Sequence, residues 1–66
     1  MIIDVRGPEG NAFSIIGYVT KLLKASGREK EIESVTAQMM SGDYRNLLAV
    51  AEKATYGSIA FEGLED

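Results

Sequence analysis

A chain of 66 residues that contains neither cysteine nor histidine has to hold itself together by packing. A domain near 60 residues buries only about 60% of its unfolded surface and is marginally stable by itself. The usual supports are disulfides, metals and oligomerisation. Without Cys there are no disulfides, and without Cys or His there is no ordinary zinc, haem or iron–sulfur ligation. Oligomerisation is the support to expect. The same absences limit the chemistry. The commonest general base and the best thiol nucleophile are missing, and a Ser-His-Asp arrangement is impossible. Glu29, Glu31 and Glu33 stand in a polar helix start, where nothing raises a pKa. The chain reads as a non-enzyme without a cofactor, and a carboxylate-held Mg²⁺ is the metal site left open.

The residue pattern predicts one α+β domain over residues 1–66, ordered β-α-α-α-β and completed by homo-oligomerisation. Residues 1–5 are β-rich and form a strand. Arg6 to Gly10 is a turn, with Pro8 suited to its second position and Gly7 and Gly10 permitting positive φ. Asn11 is a good N-cap for a helix from Ala12 to Ala25, which Gly27 stops. That helix carries two apolar stripes: Phe13, Ile16, Thr20 and Leu23, and beside them Ile15, Tyr18, Val19 and Leu22. A surface helix needs one stripe of about 100°, so the second is assigned to another subunit. Gly17 inside the helix is either tolerated or marks close approach of a backbone or ligand.

Ser26-Gly27-Arg28-Glu29 fits a capping box for a second helix running to Met40, in competition with Gly27 as the stop of the first helix. Its single face is Ile32, Val35, Thr36, Met39 and Met40. A third helix spans Tyr44 to Thr55, with Tyr44, Leu47, Leu48 and Ala51 inward, and core packing is the default for Tyr44 and Tyr56. Ser58 to Phe61 is a final strand, followed by a frayed acidic tail over residues 63–66. Two short strands cannot make a stable sheet alone. They pair with each other under the helices or continue a sheet in a neighbouring chain.

The special residues crowd into one place. Arg6, Gly7, Gly10 and Asn11 lie at a strand–turn–helix junction, which can gather backbone N–H groups around an anion. Arg6 would grip a phosphate with two N–H groups, and Gly7, Gly10 and Asn11 would offer theirs. Tyr18, Tyr44 or Tyr56 would stack on a base, and Arg45 is a second anion contact. The plain alternative is an ordinary strand-to-helix turn, with Arg6 at the surface, Asn11 as a cap and the tyrosines packed. Glu9 counts against an anion unless it points away. The turn is no P-loop, because Asn11 and Ala12 follow Gly10 where Lys and Ser/Thr are needed, and no G-x-G-x-x-G is present.

The formal net charge of −3 argues against nucleic acid as the main partner. It is uneven: residues 1–27 carry +1 and residues 28–66 carry −4. Gly42 between two helices superficially suggests a helix-turn-helix with Arg45 and Asn46 as base readers, but that half is the acidic one. No stretch reaches the roughly 18 apolar residues of a membrane span, and no signal-peptide pattern opens the chain, so a cytoplasmic location is expected.

The segment Met1 to Phe13, M-I-I-D-V-R-G-P-E-G-N-A-F, resembles the start of small proteins encoded by tailed bacteriophages. Ser41-Gly42-Asp43-Tyr44 followed by Leu47-Leu48 is similar to the same group, so the resemblance covers most of the chain. It implies an inhibitor or binding module in the host cytoplasm. One class of such proteins, the anti-defence sponges, forms oligomers that sequester nucleotide immune signals. By that analogy the expected ligand is a cyclic nucleotide or a cyclic ADP-ribose-type molecule, bound without catalysis. The alternative is a protein-interaction module that inhibits a host enzyme through its surface.

Overall fold

The computed structural model describes residues 1–63, so most of the expected acidic tail, residues 64–66, lies outside the described residues. Strand β1 (Ile2–Asp4) leads through a 3-10 turn (Pro8–Gly10) into helix α1 (Ala12–Ala25). A second 3-10 turn (Glu29–Glu31) precedes α2 (Ile32–Met39), which is followed by α3 (Tyr44–Ala54) and β2 (Ala60–Glu62). The two strands pair in parallel, Ile2 with Ala60, Ile3 with Phe61 and Asp4 with Glu62. Parallel strands need a long crossover, and here the three helices together provide it. Both strand ends are tied: the Met1 ammonium donates to the Ser58 carbonyl at 2.7 Å, and Val5 N–H donates to Glu62 at 3.0 Å. The expected α+β order therefore holds, with the terminal strands joined within one chain.

The core is a single cluster. Ile3 enters it from the sheet, Ile15, Val19 and Leu23 from α1, Val35 and Met39 from α2, Leu47, Leu48 and Ala51 from α3, and Ile59 from just before β2. Ile15 and Val19 belong to the stripe assigned above to another subunit, yet both are fully buried inside this chain. The stripe that includes Phe13 is instead divided: Leu23 is buried, while Phe13 is 87% exposed. Met40, expected on the inner face of the second helix, is 67% exposed. It lies one residue beyond α2, where the helical periodicity no longer controls its direction.

Local hydrogen bonding explains the element ends. Asn11 Oδ1 accepts from Ser14 N–H at 2.8 Å and opens α1. Asp43 Oδ1 accepts from Asn46 N–H at 2.9 Å and opens α3. The capping box expected at Ser26 does not form. Ser26 is the C-cap of α1, Gly27 takes φ 72°, and Arg28 N–H donates back to the Leu23 carbonyl at 2.8 Å. This is a Schellman closure. It commits residues 26–28 to ending α1, so α2 begins only at Ile32 and has no side-chain cap.

Candidate functional site

The Gly-rich turn is closed on itself. Arg6 N–H donates to Asp4 Oδ1 at 2.9 Å. Gly7 N–H donates to the Asp4 carbonyl and Gly10 N–H to the Gly7 carbonyl, both at 3.0 Å. The N–H groups of Gly7 and Gly10 that the sequence assigns to a phosphate thus already have partners. Neither glycine uses a positive φ. What Gly10 supplies is the absence of a side chain: a Cβ there would fall 2.2 Å from the Val5 carbonyl oxygen. Asn11 is occupied at both ends of its amide, its Nδ2 donating to the Pro8 carbonyl at 2.8 Å.

Arg6 is exposed, but its surroundings are acidic. Its Nε lies 3.2 Å from Asp4 Oδ1. The register sets Glu62 opposite Asp4, and like charges directly opposite one another destabilise a strand pair. The guanidinium offsets that repulsion. Accordingly, the Arg6 N–H and side chain hold the Asp4 carboxyl below its ordinary value, and Asp4 with Glu62 raises Arg6.

The other expected site residues divide between places. Tyr44 does meet the turn: half-buried at the start of α3, its hydroxyl donates to the Gly10 carbonyl, and burial pushes the phenol up. Tyr18 is half-buried in a different groove, of about 240 Å³, beside Met1, Leu22 and Ile59. Arg45 is exposed on α3. Asn46, a candidate base reader, is engaged by its Nδ2, which donates to the Gln38 carbonyl at 2.9 Å.

Two surfaces stand out that the sequence reading did not single out. The first is an apolar groove of about 340 Å³ with Ile16, Met39 and Leu47 in its lining and Phe13 and Met40 beside them. Both of those side chains are largely exposed. Asp43 is the charged residue among the described residues of that groove, and its carboxylate caps α3.

The second is a groove of about 360 Å³ between α2 and α3, lined by Val35, Val50 and Ala54 and bordered by Arg28, Lys53 and Tyr56. Arg28 is pinned there. Its Nε and Nη2 donate to the two Glu31 oxygens, both at 2.7 Å, and its Nη1 donates to the Ala54 carbonyl at 2.6 Å. Its guanidinium carbon lies 4.7 Å from the centroid of the Tyr56 ring. Tyr56 itself is not in the core: it is 83% exposed and, with φ 53°, is the non-glycine residue in the left-handed region among the described residues. It occupies the C′ position that closes α3, where glycine is usual. A left-handed non-glycine costs about 1 kcal/mol, and an exposed cation–π contact returns no more than a similar amount. Folding stability therefore gives tyrosine no advantage over glycine at this position. The Tyr56-Gly57 pair directly after the last helical turn was the available signal, since a helix closed there turns residue 56 outward.

Among the described residues, no helix is long and apolar enough to cross a membrane, and no three acidic side chains gather as metal ligands. No protein-family model matches the sequence, and no curated protein or solved structure matches it.

Proposed function

We propose that this protein acts by binding and not by catalysis, and that it works as an assembly of its own copies. The observation that carries the reading is Phe13, 87% exposed, next to Met40, 67% exposed, along one apolar groove. A knob and a hole on the same surface are self-complementary under two-fold symmetry, so each copy can seat its Phe13 in the groove of the other. The two side chains expose on the order of 300 Å² per copy, more than a third of the ~800 Å² that each partner gives to a standard interface. Charge favours the same face. Copies with net charge −3 repel one another, and here they can meet without opposing free carboxylates.

The ligand that suits such an assembly is a phosphorylated, cyclic nucleotide, sequestered intact as the phage anti-defence resemblance implies. Support comes from the resemblance and from the groove in which an aromatic ring, Tyr56, stands with Lys53 and with Arg28, which Glu31 of the same groove neutralises. The second reading, inhibition of a host enzyme, is favoured by the Phe13–Met40 face, which a foreign protein would then cover.

The deciding experiment measures solution mass and thermal stability together, with cyclic dinucleotides, cyclic trinucleotides and cyclic ADP-ribose isomers. A ligand bound by the folded state alone stabilises it by about 2.7 kcal/mol at a hundredfold excess over its Kd. An oligomer with a melting shift for one nucleotide, recovered unaltered, is the expected result. A monomer at high concentration overturns the assembly. No shift for any nucleotide removes sequestration and leaves the host-enzyme reading, which pull-downs dependent on Phe13 would support.

A further inference from the structure

We infer that the groove between α2 and α3, and not the Gly-rich turn, is the ligand site: it takes the base of a nucleotide on Tyr56 and its phosphate on Lys53. The inference rests on the nucleotide reading above and names where on the molecule that ligand binds.

Three observations converge on it. The first is size and lining. The groove holds about 360 Å³ over Val35, Val50 and Ala54, within the range of small-molecule sites, which pair apolar walls with a few polar groups. The second is the tyrosine. Tyr56 keeps a large ring 83% exposed on a left-handed backbone where glycine would close α3 as well, so its presence is explained by what the ring contacts. Arg28 lies over the ring and is itself held by Glu31 and the Ala54 carbonyl. The stacking surface is thus positioned before any ligand arrives, which lowers the ordering cost of binding.

The third observation is charge. Arg28 is neutralised by Glu31, whose two oxygens it contacts. Lys53, on the next border of the groove, has no ion pair among the described residues. A phosphate can therefore take the Lys53 ammonium without displacing a partner among the described residues. At the turn the opposite holds: Arg6 faces Asp4 and Glu62, and an incoming anion would compete with both.

The test titrates wild type and the variants Tyr56→Gly, Tyr56→Phe, Lys53→Gln and Arg6→Ala with cyclic di-AMP, cyclic tri-AMP, cyclic ADP-ribose and 5′-AMP. Calorimetry reads binding, and the ligand-free melting temperature reads folding. Base–aromatic stacking is large enough that its loss weakens binding about tenfold or more. Tyr56→Gly and Lys53→Gln should each show such a loss with ligand-free stability preserved, Tyr56→Phe should bind like wild type, and Arg6→Ala should change affinity less than about twofold. If a nucleotide binds but Tyr56→Gly and Lys53→Gln leave its affinity intact, this site is wrong while the nucleotide reading survives. If none of the four binds wild type, both are overturned.

Discussion

Single atoms decide several positions in this chain. A Cβ on Gly10 would meet the Val5 backbone, with the carbonyl oxygen at 2.2 Å and the Cα at 2.6 Å. Backbone cannot yield as a flexible side chain can, and a domain of this size has only about 3–10 kcal/mol to lose. Gly10→Ala should therefore abolish the folded signal in circular dichroism at 25 °C. Gly17 is the contrasting case: a Cβ there meets nothing within 4 Å. Gly17→Ala should stabilise the domain by about 0.5–1 kcal/mol, raising Tm by several degrees. If stability rises while solution mass falls, another copy approaches that glycine. Tyr44 donates to the carbonyl of buried Gly10, so Tyr44→Phe leaves that acceptor without its partner. A loss of about 1–2 kcal/mol in urea unfolding is expected. Because burial raises the phenol above its ordinary 10.0, the bond's contribution is full below that value and declines as pH rises through the raised one.

At the scale of elements, Arg28 joins the α1–α2 connection to the C-terminal end of α3. Its Nη1 reaches the Ala54 carbonyl, in the last turn of α3, where a cation also suits the helix dipole. Glu31 orients it through two hydrogen bonds, and these hold the Glu31 carboxyl below its ordinary 4.5. For a carboxyl lowered in the folded state, the stabilisation is complete above 4.5 and disappears as pH falls through the depressed value. The Tm gap between wild type and Glu31→Gln should be constant above pH ~5 and close on further acidification. Glu31 is about half exposed, so the gap should be small and should shrink with salt. The cap at Asn11 was legible because it acts on a residue three positions ahead, and Asp43 opens α3 in the same way. At Ser26 two local signals competed, and the glycine closure won. The glycine closure uses the Arg28 N–H, and the chain could not also build a capping box around the same turn.

For the whole molecule, the central event is the closure of β1 on β2, which brings the two ends of the described chain together. That pairing is made after a crossover of three helices, and it determines what Arg6 does. With Glu62 set across from Asp4, the arginine that looked available for a phosphate becomes part of a charge arrangement between strands. The same packing turns Phe13 outward. Phe13→Ser should reduce the solution mass to that of one chain, measured by sedimentation, while ligand-free secondary structure stays unchanged because the side chain is 87% exposed. A wild-type oligomer whose mass this substitution leaves unchanged would place the interface elsewhere, and a wild-type monomer would overturn the proposed assembly.

The order of elements, the span of α1 and the starts of α1 and α3 were legible locally, because caps, glycine closures and helical periodicity act within a few residues. Part of the core was legible too, since Val35 and Met39 of α2 and Leu47, Leu48 and Ala51 of α3 stand on the single faces that periodicity assigned inward. Packing alone settled which of the two apolar stripes was internal, that the strands pair in parallel, and that Arg6 faces two carboxylates. It likewise decided that Tyr56 stands exposed over a pinned arginine. Each of these depends on contacts between residues far apart in the chain, whose relative positions exist only once α1, α2 and α3 have packed.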